Sequence, residues 1–316
     1  MSGARRLLLG PQRPTINLDA AMERANLGAD DVAVISAAWQ EAEGDIDDVR
    51  ALTRCPLFDL QIYRRAEALF LSDDALREAH SIRQRRLKQQ QSLYRLRLKQ
   101  LTLAAREILT ANGDADAIAE ERRHAISQLR ALDRHHVRQM DKIHAEFNEQ
   151  FNVDSYAELR RYVDAIREDL ARCSGVLITG GNVMVLLNRL QLFGMGSLLH
   201  DKPLIAWSAG AMVLTERIVL YHDRMPQGRR EPEIISRGLG VLPEIVLLPD
   251  ARNRLDTGRA AHIGLFSRRF SPAVCLTLDS GSLIQVEDGR YTDSIAVNTF
   301  SRDGNLSPVN ALAKRA

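Results

Sequence analysis

Short apolar runs recur along the chain, each followed by a turn rich in small residues and then by a stretch with helical spacing. Arg6-Leu7-Leu8-Leu9 runs into Gly10-Pro11-Gln12, with a helix predicted over 18–26, and Asp31-Val32-Ala33-Val34-Ile35 runs into Ser36-Ala37-Ala38-Trp39-Gln40. The rhythm returns at Gly175-Val176-Leu177-Ile178, which leads into Thr179-Gly180-Gly181-Asn182 and a helix ending near Leu192. Further strands are predicted over 203–207, 244–248 and 273–278, and Glu287-Asp288-Gly289-Arg290 reads as a hairpin turn before a closing strand at 294–297. Strands apolar on both sides of the pleat and alternating with helices predict an α/β fold, a mostly parallel sheet with helices on both faces.

The pattern changes between the second and third predicted strands. Residues 66–151 lack proline, contain the single glycine Gly113, and are rich in Leu, Ala, Arg, Glu and Gln. Leu87, Tyr94, Leu98, Leu101, Ala105 and Ile108 recur at helical intervals, as do Ile126, Leu129, Leu132, His136, Met140, Ile143 and Phe147. Asn112-Gly113-Asp114 separates the two runs. The expectation is an antiparallel helical hairpin inserted into the sheet domain, its apolar stripes facing each other or a second copy in a homodimer, with a third helix over 155–172 returning to the sheet. The domain reading is 1–65 and 155–300 for the α/β part, 66–154 for the insertion, and 301–316 for a C-terminal tail.

Composition adds limits. Apolar residues make up 45% and charged residues 27%, and the net charge of +2 gives no global reason to expect a polyanionic partner. Arg83, Arg85, Arg86, Lys88, Arg95, Arg97, Lys99 and Arg106 form an uninterrupted basic run. Without interleaved aromatics it reads as a solvated face answered by Glu120, Glu121, Asp133 and Asp141, not as a nucleic-acid surface. Five of the eight histidines lie in the insertion, but without the four-residue spacing that closes on a metal, and no cofactor motif is present. Cys55, Cys173 and Cys275 are few and far apart. With an apolar run at Leu7–Leu9 too short for a signal peptide and no membrane-length stretch, the expected location is cytoplasmic.

The most informative stretch is 203–214, where an apolar strand meets Ser208 and then Ala209-Gly210-Ala211 at a helix start. This is the pattern of a nucleophile elbow, in which a tight turn lifts a serine hydroxyl above the sheet edge; a simple helix cap is the alternative. The backbone N–H of Ala209, with one from Gly180-Gly181, would hold an oxyanion formed by attack of Ser208 on a carbonyl. Trp39 and Gln12 follow strand ends on the carboxyl edge of the sheet, where ligands of such folds bind. Arg252 and Arg254 suit two-pronged recognition of carboxylates.

Thr179-Gly180-Gly181-Asn182, Trp207-Ser208-Ala209-Gly210-Ala211, Gly238-Leu239-Gly240-Val241-Leu242-Pro243, Leu248-Pro249-Asp250 and Asp279-Ser280-Gly281-Ser282 occur in that order. Over 175–288 the chain resembles the aspartyl dipeptidase (dipeptidase E) and cyanophycinase family of serine peptidases, whose sheet is of the class I glutamine amidotransferase type. The resemblance implies a metal-independent hydrolase with Ser208 as nucleophile, Asp223 as the acid that orients the base, Asn182 beside the substrate, and a small acidic, aspartyl-type peptide as substrate. Three positions depart from the family: Ala206 stands for a glycine, Val183 for a threonine, and Asp250 for the histidine that acts as general base. His222, His262 or Asp250 itself could take over the proton; otherwise the chain is a catalytically silent relative that binds a ligand or assists assembly.

Overall fold

The computed structural model describes residues 5–28, 30–223 and 230–309, with backbone alone for residue 230. Five contiguous parallel strands, with β3 at the edge, make up most of a seven-stranded sheet: β1 (Arg6–Leu9), β2 (Val32–Ile35), β3 (Leu57–Asp59), β4 (Gly175–Ile178) and β5 (Leu204–Trp207). Side-chain alternation divides the core. Leu7, Leu9, Val34, Leu177 and Ile205 pack under α1 (Leu18–Ala25) and α2 (Asp47–Thr53). Leu8, Ala33, Ile35, Val176, Ile178 and Ala206 face the opposite layer, made by α3 (Ile62–Ser72), α6 (Ala157–Ala171) and α7 (Val183–Leu192). Burial on both faces is why these strands read as continuous apolar runs.

Between α3 and α6 stand α4 (Asp74–Thr110) and α5 (Ala115–Gln150), the expected helical hairpin. Asp73 and Asp114 each accept a hydrogen bond from the third residue of the helix that follows, so both long helices start on side-chain caps. The seam buries Tyr94, Leu98, Ala105, Leu129 and Leu132, as the periodicity predicts. Ile82, Leu93, Leu96 and Leu103 stay exposed on the outer face of α4. A short helix α8 (Met195–Leu198) follows α7, and α9 (Ala209–Val213) follows β5.

The second half combines the strands expected near 244–248 and 273–278 and the hairpin at 287–290 with further strands that the apolar pattern missed. β6 (Arg217–His222) and β7 (Arg230–Arg237) form an antiparallel pair. β8 (Ile245–Pro249) leads through α10 (Ala251–Arg254) and α11 (Ala260–Phe270) to β9 (Val274–Leu278), parallel to β8. β10 (Leu283–Glu287) and β11 (Arg290–Ile295) extend the main sheet antiparallel beside β1. β12 (Asn298–Phe300) pairs with β9 and with β13 (Leu306–Pro308), so part of the stretch read as a tail belongs to a sheet.

Charge, not apolar contact alone, fastens the hairpin to this second half. Arg269 of α11 reaches Asp133 of α5 through Nε and Nη2 at 2.7 Å each, and Tyr94 donates to the same carboxylate at 2.8 Å; all three side chains are buried. Arg95 grips Glu233 of β7 at 2.5 and 2.9 Å, and Arg106 grips Glu231 at 2.6 and 2.5 Å. The partners expected for the basic run are therefore corrected. Asp133 pairs with Arg269 and Asp141 with Arg237, while the arginines of α4 reach Glu231, Glu233 and Glu146. Helical periodicity shows which residues share a face, but not which distant strand will cover that face.

Burial holds His80, His136 and His144 down to about pH 4, helped at His80 and His144 by the nearby Arg83 charge. Their folded pKa values lie below the unfolded 6.5, so the unfolded chain binds more protons as pH falls through that window. Each histidine is expected to cost about 1.4 kcal/mol of stability per pH unit between roughly 6.5 and 4. Urea unfolding at stepped pH checks this; a stability that stays level from pH 7 to 5 would contradict it.

Candidate active site

Ser208 follows the last residue of β5 and has φ 50° and ψ −116°, a region that a residue with a Cβ rarely occupies. Its N–H donates to the carbonyl of Leu9 at 3.0 Å, and its carbonyl accepts from the N–H of Met212 at 3.0 Å, pinning the turn to β1 and α9. The Ser208 side chain makes no capping hydrogen bond to α9, so the helix-cap alternative is not what the turn uses. Ala209 is buried and opens α9.

Two glycines let this turn close. A Cβ on Gly210 would lie 2.3 Å from the carbonyl oxygen of Ile178 and 2.8 Å from that of Thr179, so α9 crosses the end of β4 at a distance that admits only hydrogen. Gly210→Ala is expected to destabilise the fold by at least about 1–3 kcal/mol, read as a lower thermal midpoint. Gly180 lies against Ser208 itself, since a Cβ there would come within 3.0 Å of Ser208 Cβ.

Trp39 sets the orientation of that neighbouring turn. Its indole Nε1 donates to the carbonyl of Gly180 at 2.9 Å. Because the peptide is planar and trans, the N–H of Gly181 then points away from the indole. The N–H of Asn182 is held by the carbonyl of Ala38 at 3.1 Å, and Asn182 Oδ1 caps α7 through the N–H groups of Met184 and Val185 at 3.1 and 3.2 Å. Asn182 thus has a structural task at a position expected to touch substrate. Gln12 likewise bonds within its own loop, to Gly10 and to Asn17. Gln40, next to Trp39, has φ 58° and ψ −120°, nearly the conformation of Ser208. Nothing in its residue type signals this, and it is a second strained position on the same sheet edge.

The acid and base candidates lie around α10. Asp250 follows β8 with a left-handed backbone, φ 60° and ψ 36°. Its carboxylate accepts from Asn253 Nδ2 at 2.7 Å and from Arg254 Nε at 3.4 Å. Its N–H donates to the carbonyl of Leu278, which brings α10 to the end of β9. Arg252 donates its backbone N–H to the carboxylate of Asp279 at 2.9 Å. Asp223 lies behind this loop: its N–H donates to the carbonyl of Arg254, and its Oδ2 accepts from the N–H of Asp256, both at 2.9 Å.

The same Oδ2 stands 2.8 Å from Nε2 of His262, and both side chains are buried. His262 enters from α11, far along the sequence from Asp223, so no local motif marks the pair. His222 ends β6 opposite Arg230 and is half-buried. Among the described residues no cluster of metal-ligating side chains occurs, and no helix is long and apolar enough to cross a membrane.

Comparison with curated proteins gives no match. Among solved structures, a peptidase from an acI-B1 Actinobacterium shares 11% identity at a TM-score of 0.44, over 95% of this chain and 92% of that one. A putative peptidase E from Listeria monocytogenes EGD-e shares 12% at a TM-score of 0.44, over 95% and 100%. The sequence model of peptidase family S51 matches residues 129–293, just over half of the 316-residue chain, and spans Ser208, Asp223 and α11. The chain belongs to peptidase family S51.

Proposed function

We propose that the protein is a serine-type hydrolase that cleaves a peptide or isopeptide bond in a small acidic substrate, with Ser208 as nucleophile. The observation that carries this reading is the backbone of Ser208, a non-glycine residue in a conformation that costs about 1–3 kcal/mol and persists where a surrounding structure enforces it. Ser208 Oγ attacks the carbonyl carbon, and in this reading the N–H groups of Ala209 and Gly181 donate to the oxygen that becomes negative. The serine proton passes to an imidazole, which returns it to the leaving amine; water then resolves the acyl-serine by the reverse transfers. His262 is the proton acceptor in this reading because it stands against the carboxylate of Asp223, the acid that the family pattern assigns to that task. Arg252 and Arg254, beside Asp250, give the substrate carboxylate its positive surroundings.

His262→Gln is expected to lower kcat on aspartyl dipeptides by about 10³-fold or more while changing KM little. Activity close to wild type in that variant would move the proton acceptor elsewhere.

One observation favours a second reading, a ligand-binding relative without turnover. Asp250 replaces the family imidazole, and its carboxylate is already bonded to Asn253 and Arg254. Asp250→His separates the two. If aspartyl dipeptides are cleaved only by the variant, the natural chain is a silent relative; if wild type cleaves them, the first reading stands.

A further inference from the structure

At the base of the hairpin, away from the elbow, Arg83 of α4 is 4% exposed, and its guanidinium carbon lies 3.9 Å from the ring centre of Phe147 on α5. Its Nε and Nη2 are buried and have no hydrogen-bond partner among the described residues. Among the described residues no carboxylate forms an ion pair with it. The surroundings add positive charge and further donors. Burial, and after it the charge of nearby Arg189 on α7, lowers the Arg83 pKa to about 10, still charged at neutral pH. Among the described residues His144 Nε2, whose ring lies near the Arg83 charge, and Arg189 Nε are also buried without partners.

The orphaned edge is chemically specific. Nε and Nη2 lie on one side of a guanidinium, and that edge matches two oxygens of one carboxylate or phosphate. This chain uses the same edge twice elsewhere: Arg95 presents Nε and Nη2 to Glu233, and Arg269 presents Nε and Nη2 to Asp133. At Arg83 the same edge is buried and has no hydrogen-bond partner among the described residues. A buried charge left in this state costs several kcal/mol, whereas an anion with two oxygens restores both hydrogen bonds and the charge balance.

We propose that Arg83 anchors a binding site for a small oxyanion, a carboxylate or a phosphate group, between the base of the helical hairpin and α7. Asn188 and Arg189 form the α7 side: Asn188 Oδ1 lies 2.8 Å from His80 Nε2, and Arg189 is tied to Glu67 at 2.5 Å. Asn182 caps the same helix beside the Gly180-Gly181 turn, so one rigid helix joins this site to the candidate active site. The inference does not depend on Ser208 being a nucleophile.

The test is thermal unfolding of the full chain in dilute chloride buffer at pH 7.5, titrated separately with phosphate, succinate and extra chloride. Phosphate or succinate is expected to raise the midpoint saturably by about 2–4 °C, with chloride doing far less; the stronger of the two identifies the ligand class. Arg83→Met should lose the rise and melt no lower than wild type without anion, because an apolar side chain of similar length removes an uncompensated charge. Arg83→Lys keeps the charge but not the two-pronged edge, and should need at least about tenfold more anion. The exposed-site variant Arg97→Met should respond like wild type. Equal midpoint shifts in wild type and Arg83→Met, or no shift with either oxyanion, would overturn the proposal.

Discussion

Ser208→Ala is expected to reduce hydrolysis of aspartyl dipeptides to background, a loss of at least about 10³-fold in kcat/KM, with the fold and substrate affinity retained. The size follows from the chemistry: without the hydroxyl no acyl intermediate forms, and what remains is binding plus the backbone donors. The fold should survive because the turn is held by the backbone of residue 208, through Leu9 and Met212, and not by its side chain. Alanine at φ 50° keeps the same backbone strain, so stability should change by less than about 1 kcal/mol. Steady-state kinetics together with a thermal midpoint separate lost chemistry from lost structure. A variant that still hydrolyses the substrate at the wild-type rate would remove Ser208 from the mechanism.

The largest expected effect on stability belongs to Asp133→Ala. Asp133 accepts from Arg269 and Tyr94 in a fully buried network, and Arg269 Nη1 also donates to the carbonyl of Pro232. Truncating the acid leaves a guanidinium buried without its counter-charge, a change that costs about 3–5 kcal/mol. The network joins α4, α5, α11 and β7, so the loss should appear as loosening of the hairpin from the sheet domain. Amide exchange should speed up in α4 and α5 before it does in β1, β4 and β5. The double variant Asp133→Leu with Arg269→Met removes both charges and should recover much of the loss. A single variant within 1 kcal/mol of wild type would show that the network is energetically idle.

How far the sequence reveals this structure depends on what each element packs against. β1 and β4 were legible almost to the residue because strands buried on both faces become apolar runs ended by glycine turns. The hairpin was legible because Leu, Tyr and Ala recur at helical intervals and Gly113 interrupts them. The β6–β7 pair was not. Arg230 to Arg237 carries Glu231, Pro232 and Glu233; it is a strand by pairing with β6, and its acids are met by arginines of α4 more than a hundred residues away. In the site, the tight strand-to-helix turn at Ser208 could be read from its small neighbours, since close backbone approach demands them. The Asp223–His262 contact depends on where α11 lands, which no spacing encodes, and the strain at Gln40 has no compositional mark.

The most direct test of the central claim is to treat the folded wild-type protein with a fluorophosphonate and locate the adduct by peptide mass spectrometry. A single adduct on Ser208, absent from Ser208→Ala, is the predicted result. An unmodified Ser208 in a cooperatively folded wild type, under conditions that label a known serine hydrolase, would contradict it.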